Sequence, residues 1–227
     1  MIFFEKSQPA PTSLASEKLK AKGTYVQPDV IEQLSKDFAN KCYLCEQDDL
    51  TSINIEHLVS HRENQDLKFD WNNLFFSCPH CNNIKQHRYD DILNCTIKTD
   101  AVEDSIKLKL DAFPLSEVEV VANRTDAKTH KTAELLKAVY NGTTAMKTKE
   151  AENLNTKLTA EINQFQQLLL GYMQAKKHND DEEIENFRRK LKYSLHKNAP
   201  FTSFKRWIIR DNDKRNAEFG NLFEVGE

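Results

Sequence analysis

Four cysteines occur as two matched pairs, Cys42-Tyr43-Leu44-Cys45 and Cys78-Pro79-His80-Cys81. A two-residue gap lets both thiolates of a pair turn toward one tetrahedral ion at about 2.3 Å, and two such knuckles supply a complete sulfur shell. A closed shell leaves no position for water, so a Zn²⁺ held by these four residues is expected to be structural. Four unrelated buried cysteines would leave the repeated spacing without a reason. His80 could replace one ligand, but inside the knuckle its ring is expected to face water. Cys95 stands outside the pattern and reads as a small buried thiol.

The 32 residues between the knuckles exceed what a simple zinc ribbon needs. They contain Ile55-Glu56-His57, and Asn82 follows the last cysteine directly. A neutral imidazole can take a proton from water near pH 7, which makes His57 a candidate general base for hydrolysis. On a strand Glu56 would point to the opposite face from His57. Glu56 and Asn82 offer oxygen ligands of the kind that Mg²⁺ or Mn²⁺ takes, with water and a substrate phosphate completing the shell. Taken singly, a histidine is usually hydrogen-bonded in a core, a glutamate solvated and an asparagine a helix cap. Their joint position inside a zinc frame is what points to chemistry.

The elements that must hold these groups can be read from periodicity. Residues 1–28 read as an arm punctuated by Pro9, Pro11 and Pro28, with a short helix over Ala15 to Lys22. Pro28-Asp29 opens a helix with Val30, Ile31, Leu34 and Phe38 on one side. Ser52 to His57 alternates as a short strand, Arg62 to Asp70 is polar and loop-like, and Trp71 to Phe76 anchors a small core. A helix is expected from Pro79 toward Asp91. Farther on, Glu117 to Ala122 alternates like a strand and Thr132 to Tyr140 is helical. Leu154, Leu158, Ile162, Phe165 and Leu169 draw one apolar stripe, His178 to Asp181 breaks it, and Ile184, Phe187, Leu191 and Leu195 continue on a second, antiparallel helix.

Over 227 residues the net charge is −3, which gives no global attraction to nucleic acid. No apolar run is long enough to span a bilayer, and the apolar start Met1 to Phe4 is too short for a secretory signal. A cytoplasmic location is therefore expected, and in that reducing compartment paired cysteines favour metal over disulfides.

Glu56-His57, Asn73-Leu74 and Cys78-x-x-Cys81-Asn82-x-x-Lys85 resemble the HNH endonucleases with a ββα-metal, or His-Me finger, core. The resemblance implies His57 as general base, Glu56 as cation ligand, and Asn73 bracing the loop that carries the base, with Asn72 as the alternative one residue away. The third family position is usually histidine and is Asn82 here, as in four-cysteine members that resolve DNA junctions. That departure favours a hard, oxygen-bound ion over a zinc-type catalytic ion. Ile55 to His61, Trp71-Asn72-Asn73-Leu74 and Phe201 to Trp207 further resemble the PtuB family, HNH subunits of Septu-type and retron-associated anti-phage systems. Those work with PtuA, an ABC-type ATPase. This chain has no G-x-x-x-x-G-K-[ST] loop, so nucleotide control would have to come from such a partner.

Acidic residues outnumber Lys and Arg over residues 41–92. Lys85, His87 and Arg88 are the local candidates for phosphate contact, against the ordinary alternative of a solvated helix face. Residues 187–215 hold ten Lys or Arg against Asp211 and Asp213, interleaved with Phe201, Phe204, Trp207, Ile208 and Ile209. These aromatics are expected to dock on a core or on a partner, with the charges left open.

The expected fold is α+β. A lead-in arm and helix (1–35) precedes an HNH module (36–95), and a mostly helical region (96–227) serves packing or partner binding. The expected activity is phosphodiester hydrolysis on DNA or tRNA. The competing expectation is a non-catalytic zinc module of treble-clef type that only presents a binding surface.

Overall fold

The computed structural model describes residues 1–111 and 117–223. Helices α1 (Thr12–Lys18) and α2 (Pro28–Asp37) lead into β1 (Asn54–His57), α3 (Gln65–Phe69), β2 (Leu74–Ser77) and α4 (Pro79–Lys85). After α5 (Val102–Ser105) come β3 (Ile106–Asp111) and β4 (Glu117–Ala122). The chain then continues through α6 (Ala127–Asn141), α7 (Ala145–His178), α8 (Asp181–Leu195), α9 (Thr202–Arg210) and α10 (Asp213–Phe219). Among the described residues the strands form two separate antiparallel pairs, β1 with β2 and β3 with β4. This is the mixed helix and small-sheet architecture that the sequence predicts.

In the first pair Ile55 faces Phe76, Glu56 faces Phe75 and His57 faces Leu74. All four residues of β2 are buried, so this strand is the floor on which β1 lies. Pro79 starts α4 because its fixed φ and missing N–H suit the first helical turn, and Cys78 caps it. One apolar cluster runs from Met1, Ile2 and Phe4 through Leu34, Phe38 and Phe75 to Leu136, Tyr140 and Leu158. Each such side chain contributes about 1.5–3 kcal/mol by leaving water. A second cluster joins Phe165, Leu169 and Tyr172 of α7 to Leu191, Leu195, Ile209 and Phe219.

The apolar stripe on α7 is buried along its length. Asn179, in the left-handed conformation, ends that helix, and the Asp180 side chain caps α8 by accepting from Glu183 N. Several boundaries differ from expectation. The short N-terminal helix is Thr12–Lys18, not Ala15 to Lys22. Residues 62–70 are not all loop: Asn64 Oδ1 accepts from Asp66 N and Leu67 N and so nucleates α3. The helix after Pro79 stops at Lys85, where Gln86 takes φ 43° and a 3₁₀ turn over Gln86–Tyr89 follows. Among the described residues, no helix is long and apolar enough to cross a membrane.

Candidate active site

The sulfurs of Cys42, Cys45, Cys78 and Cys81 all lie within 4.8 Å of one another, and all four residues are buried. Cys45 Sγ and Cys78 Sγ are 3.9 Å apart. A tetrahedral ion with bonds of about 2.3 Å requires sulfur separations of about 3.8 Å, so the cluster has the size of a zinc shell. Burial disfavours the Cys42 thiolate, but hydrogen bonds from Cys45, Cys78 and Cys81 outweigh it and hold Cys42 well below the ordinary thiol range. The two knuckles are tied across β2, where Tyr43 N donates to Phe76 O at 3.0 Å. His80 does not face water: its nitrogens meet Glu150 Oε2 at 2.6 Å and Val139 O at 2.8 Å, docking α4 on α6 and α7.

His57 ends β1 and is 8% exposed. Its Nε2 lies 3.1 Å from Lys68 O. A carbonyl only accepts, so the proton resides on Nε2 and the Nδ1 lone pair is left as the basic site. The ring is held edge-on by Tyr25 at 4.6 Å and His61 at 4.8 Å. Burial lowers the His57 pKa to about 4, against the opposing pull of the Lys68 carbonyl, so the ring is neutral near pH 7.

Asn73 fixes the loop between His57 and Lys68. Its Nδ2 donates to Val59 O at 2.8 Å and Leu67 O at 3.0 Å, while Oδ1 accepts from Val59 N at 2.8 Å. Because this loop also carries the Lys68 carbonyl, Asn73 helps to set the orientation of the His57 ring. Asn72, by contrast, is exposed, and its side-chain oxygen accepts from Gln8 Nε2 at 3.3 Å.

Glu56 is buried, and burial raises its pKa to about 7 in spite of the nearby Lys85 ammonium. Lys85 Nζ lies 3.1 Å from Glu56 Oε1 and donates to His57 O at 2.9 Å. Lys85 is fully buried, so the expectation that it contacts phosphate is corrected: its role is inside the finger. Glu56 Oε2 has no such partner among the described residues and remains available to a cation. Asn82, on the first turn of α4, is half-buried, and its side-chain amide is likewise free of internal partners among the described residues.

Glu56, His57 and Asn82 line one open cleft of about 340 Å³ together with Tyr25, His61 and His87. His87 thus stands where a phosphate could reach it. Arg88 does not line the cleft and pairs instead with Glu134 at 3.1 Å. Sequence reasoning did not single out Tyr25, the Lys68 carbonyl or Asp90. Asp90 accepts from Ser60 N at 3.0 Å and Ser60 Oγ at 2.7 Å, and so anchors the loop from the other side. His61, four residues after His57, was the one visible signal, a second histidine at the same strand end.

The chain thus presents a neutral imidazole with a fixed tautomer, two oxygen donors and a zinc-type frame within one short segment. No curated protein matches the chain. Residues 42–88 match the family model described as HNH endonuclease. That match and the four clustered thiols fit an HNH endonuclease domain with a metal-binding cysteine frame at residues 42–88.

Proposed function

We propose that the chain is a divalent-cation-dependent endonuclease whose general base is His57, acting as the effector subunit of an anti-phage complex with an ABC-type ATPase partner. The observation that carries the catalytic reading is the pairing of His57 Nε2 with Lys68 O, which leaves Nδ1 unprotonated in a cleft shared with Glu56 and Asn82. Nδ1 takes a proton from water as the water oxygen bonds to phosphorus and the scissile P–O bond breaks. Glu56 Oε2 and the Asn82 side-chain oxygen would hold Mg²⁺ or Mn²⁺, which when bound supplies positive charge for the phosphate. Asn73 keeps the base in register with the cleft, and the zinc cluster ties α4, which carries Asn82, to the sheet that carries Glu56 and His57.

The defence role rests on the resemblance of Ile55 to His61, Trp71 to Leu74 and Phe201 to Trp207 to the PtuB family. Within that reading residues 36–95 are the nuclease module and 96–227 the packing and partner region. Leu170 and Met173, exposed side by side on α7, are consistent with an apolar partner surface. Incubating the purified chain, alone and with its ATPase partner, with plasmid, phage DNA and total tRNA tests the substrate. Cleavage of one class that requires Mg²⁺ or Mn²⁺ supports the reading. Absence of cation-dependent cleavage in every arm favours a zinc module that only binds.

A further inference from the structure

Residues 186–210 contain eight Lys or Arg and no Asp or Glu. The fold sorts these cations into two groups. Lys205 pairs with Glu161 at 2.9 Å, Arg206 with Glu103 at 2.6 Å and Arg210 with Asp104 at 3.3 Å, all within the protein. Arg188, Arg189, Lys190, Lys192 and Lys197 make no ion pair among the described residues. Arg189, Lys192, Tyr193 and His196 follow the i, i+3, i+4, i+7 spacing that puts them on one face of α8 and its C-cap. With Asn198 and Ala199 they line an open cleft of about 420 Å³. Tyr193 is 79% exposed in the middle of this basic face.

Basic residues at a helix C-terminus complement its dipole, which accounts for some of the charge. It does not account for a bare aromatic ring beside a concave surface. The turn that closes the cleft is also fixed to the zinc frame. Lys41, next to Cys42, donates from its buried Nζ to Lys197 O at 2.5 Å and Ala199 O at 2.7 Å. Glu46, next to Cys45, accepts from Phe201 N through its backbone and from Ser203 N at 2.9 Å through its carboxylate. The cleft is therefore held rigidly relative to the nuclease segment. That segment carries little unpaired basic surface of its own: Lys85 is buried, Arg62 and Arg88 are paired with Asp90 and Glu134, and acids predominate.

We infer that the Arg189–Lys192–Tyr193–His196 cleft is a nucleic-acid-binding site, with phosphates held by Arg189 and Lys192 and an unpaired base stacked on Tyr193. It rests on the nuclease reading and supplies a second substrate contact away from the finger. Ring stacking favours a nucleic acid over an acidic protein surface, for which the cations alone would serve.

The test uses the zinc-loaded full chain carrying His57→Ala, so that cleavage does not interfere. Binding of fluorescein-labelled oligothymidine and of a labelled RNA hairpin is followed by anisotropy across salt concentrations. Arg189→Ala with Lys192→Ala is expected to weaken binding by at least about tenfold and to flatten the log–log salt slope by about 1 to 2. Tyr193→Ala is expected to weaken it about 5- to 100-fold, with Tyr193→Phe near the parent. Lys128→Ala with Lys177→Ala removes equal charge from other exposed sites and should have little effect. Unchanged binding in the cleft variants, or an equal loss in the Lys128 and Lys177 control, overturns the inference. Hydrolysis of bis(p-nitrophenyl) phosphate, with His57 intact, separates the two readings: cleft variants should retain it. Its absence from the parent would remove the nuclease reading while the binding result stood.

Discussion

Lys85 Nζ lies 3.1 Å from Glu56 Oε1, and both side chains are buried. The ammonium also bonds the His57 carbonyl, so a single cation braces the strand end that carries Glu56 and His57. Removing one partner leaves the other charge uncompensated in a dry setting. Lys85→Ala is therefore expected to destabilise the protein by about 3–5 kcal/mol. Adding Glu56→Gln should recover part of that loss, because the orphaned carboxylate is gone. Denaturant unfolding of both singles and the double checks this; strictly additive losses would contradict the pairing.

Asn73 makes its contribution through the loop, not through substrate. Asn73→Ala leaves Val59 N, Val59 O and Leu67 O without their partners. A loss of about 1–3 kcal/mol is expected, together with slower cleavage although His57 is intact. Hydrogen exchange at the Val59 amide should accelerate in step with the drop in activity.

Zinc removal should act on folding before chemistry. One ion per chain is expected by elemental analysis, held by the four clustered thiols. Cys81→Ser should lower zinc content and melt the β1–β2–α4 unit, whereas adding Mg²⁺ should not restore it. Retained structure in a zinc-free protein would separate the frame from the metal.

The pH dependence of stability has a specific source in Lys6. Its Nζ donates to Trp71 O and, at 2.6 Å, to Leu74 O, beneath the strand that supports the site. Burial lowers its pKa from 10.5 to about 7, despite the attraction of Asp37 and Asp70. Between those values the unfolded chain holds the proton and the folded chain does not, so folding free energy improves as pH rises from 7 toward 10.5. The rise attributable to Lys6 should be about 2–4 kcal/mol and should vanish in Lys6→Met, measured as the difference between the two unfolding curves.

The cysteine frame and the long helix were legible because their signals are local: fixed spacing in one case, a buried stripe from Leu154 to Leu169 in the other. The strand dyad was legible for the same reason, since β1 has only four residues and ends on His57. The inward turn of Lys85 was harder to read, although it sits one helical turn from buried Cys81 and so shares its face. Lysine is ordinarily read as solvated, and only the pairing with Glu56 across the finger reverses that. β3 alternates at Ile106, Leu108 and Leu110, but the pattern acquires meaning only from its partner Glu117–Ala122. The basic C-terminal stretch could not be divided from sequence, because the acids that neutralise Lys205, Arg206 and Arg210 lie at Glu161, Glu103 and Asp104, far away in the chain.

The most direct test is single-turnover cleavage by the parent and by His57→Ala, each with zinc content and melting temperature matched and Mg²⁺ present. Loss of a positioned base should slow phosphodiester cleavage by about 10²- to 10⁴-fold with the fold and the zinc intact. A variant that cuts as fast as the parent would contradict the assignment of His57 Nδ1 as the group that activates water.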